Sequence, residues 1–159
     1  KARRNGIHCP RCVLDEASIA VSQNDLDGAA EALRIVRCDP EWARNREIYR
    51  SYLATTGQML VARRQFHDAE GVLREAVKLD PMVAEPRVSL ALALAGLGRD
   101  AEARQEAKMA IALLPADQRS QRRQALGATL NGYAAQAKTT TPTAPSVQDP
   151  PMPQTRAKH

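Results

Sequence analysis

The sequence predicts an all-α fold, a short superhelix of paired helices that ends in a capping helix and is followed by a proline-rich tail. Three observations predict it. Residues 50–81 and 84–115 match each other at a fixed offset of 34 residues. Apolar residues in both segments recur at three- and four-residue steps, which is the period of one helix face. Each segment is interrupted near its middle and closes on a proline, so each is expected to hold two helices.

Small side chains stand at matching places in the two segments, where they would let helix backbones approach closely. The break between the two helices is predicted at 64–66 in the first segment and at 96–98 in the second, where two glycines favour a helix end. The residues expected to pack the repeats are Gly57, Ala69, Ala76 and Pro81 in the first segment and Ala91, Ala103, Ala110 and Pro115 in the second.

This pattern resembles the tetratricopeptide repeat family. The matching residues are Gly57, Leu60, Ala69, Ala76 and Pro81 in one unit and Leu90, Ala91, Leu94, Gly98, Ala103, Ala110 and Pro115 in the next. The aromatic residues that are usual in the family are replaced here by Leu, Arg or Ala. The resemblance implies a right-handed superhelix, in which the first helix of each unit lines an inner groove.

The resemblance also implies which residues line that groove. They are Gln58, Val61, Ala62, Glu85, Val88, Ser89, Leu92 and Ala95, together with Ser51, Ala54 and Thr55. This surface is mixed and mildly apolar, which suits an extended segment or a helix of a partner protein. Some family members clamp a terminal carboxylate with Lys and Asn. Ala54, Gln58, Val88 and Leu92 stand at those places, so no such clamp is expected.

The chain divides into an arm, a repeat domain and a tail. The predicted limits are a basic irregular arm over 1–12, a repeat domain over 13–137 and an extended Pro/Thr-rich tail over 138–159. Within the domain, units are expected at about 13–40, 41–83 and 84–117, with a cap at 118–137.

The first unit is predicted to be degenerate. Its first helix reads as short and has Glu16 where a small residue is expected, so the unit is either an N-terminal cap or a poor repeat. Pro40 and Pro81 are 41 residues apart, seven more than the repeat offset. The extra residues predict one long helix over 41–63, with Trp42 and Tyr49 covering the outer surface of the first helical pair.

The capping helix is predicted to bury one apolar stripe and to present a polar face. The buried stripe is expected to consist of Ala125, Leu126, Leu130 and Tyr133. Its arginines, Arg119, Arg122 and Arg123, are interpreted as the solvated side of the cap. A phosphate-binding patch is the alternative reading of these three residues.

Three cysteines leave several states open. Cys9 and Cys12 form a CxxC pair, which together with Cys38 could hold zinc. A disulfide among them requires an oxidising compartment, and free thiols are the remaining reading. No second CxxC and no CxxCH is present. We therefore expect no resident metal or other cofactor.

Charge and composition disfavour nucleic acid as a specific partner. Of the net charge of +5, residues 1–12 contribute +4 and residues 138–159 contribute +2, so residues 13–137 net −1. Nucleic-acid-binding domains typically present a basic face with aromatic side chains for stacking. Only 3% of this chain is aromatic.

The residues also predict no enzyme. The three histidines are scattered at positions 8, 67 and 159, and no nucleophile elbow or phosphate-binding glycine loop occurs. The expected function is a non-catalytic module that binds a protein partner as an adaptor, assembly factor or chaperone. The alternative is a structural subunit of a larger complex, held through its arm and tail. No apolar run reaches the roughly 18–20 residues that span a bilayer, and in a bacterium either cytoplasm or periplasm would suit the chain.

Overall fold

A computed structural model describes residues 9–38, 42 and 44–139 of the chain. Within this part the fold is all-α, as predicted, with no strand. The helices are α1 (Pro10–Ser22), α2 (Leu26–Arg37), α3 (Arg46–Ala62), α4 (Phe66–Leu79), α5 (Ala84–Gly96), α6 (Asp100–Ala112) and α7 (Ala116–Thr139). None of these described helices combines the length and apolar character needed to cross a bilayer.

The helices pack as three successive pairs and a cap. The pairs are α1 with α2, α3 with α4, and α5 with α6, and α7 packs on α5 and α6. The odd helices also contact one another in chain order, from α1 to α7, whereas the backbones of α2, α4 and α6 do not approach each other within the described residues. Because the odd helices lie closer together than the even helices, the stack curves toward the odd side.

Each pair is joined by a three-residue turn of the same form. The middle residue of the turn is left-handed: φ is 59° at Asn24, 61° at Arg64 and 74° at Gly98. The next N–H donates to the carbonyl five residues earlier, at 2.8–2.9 Å in all three turns, which closes the helix end as a Schellman motif. The second break was predicted one residue late, because Phe66 already belongs to α4.

Small buried residues recur with the same spacing as the turns. Ala17, Gly57 and Ala91 lie at equivalent places on the odd helices, 40 and 34 residues apart, and all three are buried. Ala29, Ala69 and Ala103 repeat these intervals on the even helices and are at most 1% exposed. Both partners in every pair therefore present a small side chain to the contact.

The first unit is consequently a complete helical pair, and its predicted degeneracy is wrong. Helix α1 has 13 residues, as many as α5. Ala17 supplies the small residue that was sought at Glu16, because the second unit carries six additional residues relative to the first rather than seven.

The long helix predicted over 41–63 is shorter at its start. Helix α3 begins at Arg46, because the Asn45 side chain accepts hydrogen bonds from the backbone N–H groups of Glu47 and Ile48, at 3.0 and 3.2 Å. Trp42 precedes the helix. Its ring lies 4.6 Å from that of Tyr52 and packs against the core of the first pair. Its packing role is thus confirmed.

Both chain ends of the repeat domain differ from the prediction. Helix α1 begins at Pro10, inside the predicted irregular arm, since proline is well suited to the first helical turn. Helix α7 runs from Ala116 to Thr139, beyond the predicted cap limits of 118 and 137. The remainder of the predicted arm, 1–8, and of the predicted tail, 140–159, lies outside the described residues.

The buried stripe of α7 is narrower than predicted. Leu126 and Leu130 are each 8% exposed and belong to the core, and half-buried Tyr133 stacks edge-on against Phe66 with ring centroids 5.8 Å apart. Ala125 is exposed, contrary to the prediction. Only one edge of α7 meets α5 and α6, so three apolar positions suffice.

The two prolines expected to pack the repeats are exposed and act through the backbone instead. Pro81 follows Asp80, whose extended conformation ends α4, and Pro115 immediately precedes α7. The other small positions, Ala76 and Ala110, are fully buried.

The buried apolar residues form two clusters. One fills the first pair and receives Met59 from α3. The other extends from α3 to α7 and is larger, with Leu73, Leu90 and Leu94 at its centre. The core therefore divides between the first pair and the rest of the stack.

An ionic network links α4 to the start of α6 on the even side. Arg99 donates to Glu70 and Glu102, both at 2.6 Å, and Arg74 donates to Glu70 at 2.9 Å and to Glu102 at 3.4 Å. Burial raises the pKa of Glu70, but the hydrogen bonds from Arg74 and Arg99 outweigh burial and hold that pKa below 4.5. The hydrogen bond from Arg99 likewise lowers the pKa of Glu102.

Replacing Gly57 by Ala should destabilise the protein, because an added Cβ would lie 2.3 Å from Cδ2 of the buried Leu73. We expect a loss of about 1–3 kcal/mol in the free energy of unfolding, measured by urea denaturation. Gly71 is the matched control on α4, since a Cβ there meets nothing within 4 Å. Gly71→Ala should stabilise by about 0.5–1 kcal/mol. Equal effects of the two substitutions would contradict the close approach at Gly57.

The ionic network should make stability depend on acidity. A carboxylate with a depressed folded pKa contributes stability that is present above its unfolded pKa and is lost as the pH falls through the folded pKa. Acidification from about pH 7 to about pH 3 should therefore lower the urea midpoint more in the wild type than in Glu70→Gln. Exposed Glu16 has no ion pair among the described residues, so Glu16→Gln should retain the wild-type dependence. An unchanged dependence in Glu70→Gln would contradict the network.

Candidate functional site

The candidate site is the surface where α1, α3 and α5 lie side by side on the odd side of the stack. Each of these helices has neighbours on both flanks and keeps only a narrow strip accessible. On α3 the strip consists of Ser51, Ala54, Gln58 and Ala62, and on α5 it consists of Glu85, Val88 and Leu92. Steps of three and four residues place each set on one helix face. We call these residues, with their neighbours on α1, the odd strip.

The predicted groove residues divide between this strip and the core. Five of the eight are accessible: Ala62 and Glu85 are exposed, and Gln58, Val88 and Leu92 are half-buried. The other three were wrongly expected to line the groove, because Val61 is 5%, Ser89 6% and Ala95 1% exposed.

Their burial has a physical reason. Val61 and Ala95 belong to the larger apolar cluster, and Ser89 lies on α5 where the helix is flanked by α3 and α7. A helix between two flanking helices cannot present the broad face that the family pattern assigns to it. These three residues hold the odd helices together and are unavailable to a ligand.

Helix α1 contributes to the strip, which the sequence reading missed. A depression of about 150 Å³ is lined by residues of three odd helices and of the turn before α5. Its polar lining includes Asp15, Ser18, Arg50, Ser51, Gln58 and Glu85. A signal was available in the sequence: Ser18 precedes Gln58 by 40 residues, the same interval that separates the turns and the small residues.

The charges around this depression leave acids unpaired. Arg11 pairs with Glu47 at 2.9 Å, and Arg50 pairs with Asp80 at 3.1 Å. Asp15 and Glu85 form no ion pair within the described part of the chain. The depression is therefore available to a cation. Val88 and Leu92, farther along α5, supply an apolar surface next to it.

The thiols do not assemble a metal site in the described residues. Cys9, Cys12 and Cys38 are free and exposed, and no group of three His, Cys, Asp or Glu side chains between residues 9 and 139, with 39–41 and 43 left aside, is placed to hold a metal ion. Cys9 instead caps α1, since its Sγ accepts from the backbone N–H of Cys12 at 3.4 Å. The side-chain hydrogen bond with Cys12 lowers the pKa of the Cys9 thiol.

The arginines of the cap point to solvent, as expected, but they differ in their partners. Arg119 donates to the carbonyl oxygens of Leu114 and Ala112, at 2.8 and 3.1 Å, and so closes the end of α6. Arg122 and Arg123 are exposed on α7 and form no ion pair among the residues described.

Comparison with known proteins identifies one stretch of the chain. A family model for the tetratricopeptide repeat matches residues 55–118, which run from the middle of α3 to the first turn of α7. No curated protein and no solved structure matches the chain. The resemblance seen in the sequence is thus confirmed for the two units with the 34-residue offset, and the first pair shares their geometry at an offset of 40.

Proposed function

Because this chain is a tetratricopeptide repeat protein, we propose that it is a non-catalytic module that binds a segment of a partner protein along the odd strip. Repeats of this family generally mediate protein–protein interactions. In this proposal the chain serves as an adaptor, assembly factor or chaperone, and the bound segment is an extended peptide or one helix of the partner.

One observation carries the proposal. The odd strip joins a depression with two unpaired acids, Asp15 and Glu85, to the apolar side chains of Val88 and Leu92. A fitting ligand places a Lys or Arg over the depression and apolar side chains beside α5. Such mixed recognition is how helical-repeat surfaces and grooves hold peptides.

The size of the strip sets the length of the ligand. Adjacent packed helices are about 8–10 Å apart, so the path from α1 to α5 measures about 20 Å. An extended chain advances about 3.3 Å per residue, and about six residues therefore cover this path. A displayed library of random peptides of about twelve residues, selected on the immobilised full chain, is a sufficient probe. We expect enrichment of peptides that combine a basic residue with apolar ones.

Reversing one charge in the depression should weaken a selected peptide. Asp15→Lys removes the attraction to a ligand cation and adds repulsion, so we expect at least about fivefold weaker binding, about 1 kcal/mol, by fluorescence anisotropy. Glu16→Lys is the matched control, because Glu16 is an exposed acid on the same helix that does not line the depression. The depression is not the site if both variants bind alike.

The apolar part of the strip should matter as well. Val88→Glu and Leu92→Glu should each abolish peptide binding while helicity, followed by circular dichroism, is retained. The control is Ile19→Glu, since Ile19 is 55% exposed and faces away from the core of the first pair. Both Val88 and Leu92 are half-buried, so a thermal melt accompanies each measurement.

Deletion of residues 140–159 tests the competing idea of a subunit held through its tail. Under the present proposal the truncated chain binds the selected peptides as the full chain does. If truncation removes binding while Val88→Glu has no effect, the odd strip is not the interaction surface.

A further inference from the structure

A second surface, at the C-terminal end of the stack, has a different chemistry. Helices α6 and α7 diverge and leave an open crevice of about 570 Å³ between them. Its apolar lining comes from both helices and comprises Ala107, Ile111, Ala112, Leu126, Gly127 and Leu130. This crevice lies apart from the odd strip and shares no lining residue with it.

The rim of the crevice is entirely basic. Arg104 and Lys108 stand one turn apart on α6, Arg119 and Arg123 stand one turn apart on α7, and no acidic residue lines the crevice. Arg119 is fixed in place by its hydrogen bonds to carbonyl oxygens of the α6 end. The other three cations form no ion pair within the described part of the chain. Four positive charges therefore border an apolar floor without neutralisation.

Helix α7 is unpartnered over its first turns. Every residue from 116 to 125 is exposed, whereas α3 and α5 are each covered by the even helix that follows them. Among the described residues no helix follows α7. The crevice is thus the place where the stack exposes a helix face that the earlier units cover.

We propose that this crevice binds an acidic amphipathic segment of a partner protein, with apolar side chains on the floor and carboxylates against the two rims. The distribution of charge favours a segment. The paired cations on each rim are about 6 Å apart along their helix axis, so the positive charge runs along a line instead of converging on one point. A single phosphate would meet one pair at most, while carboxylates on successive helical turns meet both.

The same charges disfavour other occupants from this chain. Residues 140–159 carry Asp149 against Arg156 and Lys158, and residues 1–8 carry three basic side chains and no acid. Neither segment complements a basic rim. A symmetric dimer through this face would place the two basic rims against each other, which costs electrostatic energy.

The test uses the full chain and a designed peptide. The probe is a labelled peptide of about sixteen residues with Leu or Phe at helical spacing on one face and Glu on both flanks. Its counterpart has every Glu replaced by Lys. We expect the acidic peptide to bind and the basic one not to bind, with an affinity for the acidic peptide that falls as NaCl is raised.

Charge reversal on the rim gives the decisive comparison. Arg104→Glu and Arg123→Glu should each weaken the acidic peptide by about tenfold or more. The matched control is Arg122→Glu, an equal charge change at the exposed neighbour that does not line the crevice, which should alter affinity by less than about twofold. Circular dichroism verifies that all variants are folded, and Arg123→Gln provides a milder variant.

Several outcomes would overturn the proposal. The crevice is not the site if Arg122→Glu weakens the peptide as much as Arg123→Glu does, or if the Lys peptide binds equally well. Binding to phosphatidylglycerol vesicles that Arg123→Glu abolishes, without peptide binding, would assign the surface to a membrane. Self-association in sedimentation that Arg123→Glu abolishes would assign it to a second copy. Because Asp15→Lys leaves this end untouched, failure here is distinguishable from failure of the odd strip.

Discussion

The close approach of the two helices in each pair is the constraint on which this structure depends. It requires a residue no larger than Ala on both helices, at Ala17 and Ala29, Gly57 and Ala69, and Ala91 and Ala103. At Gly57 even a methyl group would collide with Leu73. Since the pairs are thin, a few leucines fill the spaces between them, and the chain forms a core with few aromatic residues. The same closeness brings the odd helices together and limits what they can show to a ligand.

Much of the architecture could be predicted because it follows from local rules. Helix period, small residues at a fixed offset and terminating turns are all written in neighbouring residues, and they placed α4 to α7 nearly correctly. The first pair was misjudged because a six-residue insertion breaks the offset, which shifted the expected small position from Ala17 to Glu16. The start of α3 was misplaced since a helix period cannot distinguish residues 41–45 from a helix, while the Asn45 cap ends that ambiguity.

The site was harder to predict than the fold. Sequence spacing indicates which face of a helix is apolar, but the exposure of Val61, Ser89 and Ala95 depends on how closely neighbouring helices pack. The roles of Asp15 and Glu85 depend on which arginines are already paired, and those partners come from distant parts of the chain: Asp80 lies 30 residues from Arg50. The basic crevice has the same origin, since its four cations come from two helices that meet only in the folded chain.

The division of the core has a consequence for how the molecule opens. In a linear array each unit is stabilised by its immediate neighbours alone, and the first pair shares only Met59 of its buried cluster with the following unit. Its amides should thus exchange with solvent through a partial opening that leaves α4 to α7 intact, as a separate cooperative unit. Asp15 belongs to the pair that opens and Glu85 to the part that stays closed. A ligand held by both would act as a clasp, and its affinity would be coupled to the folding equilibrium of the first pair.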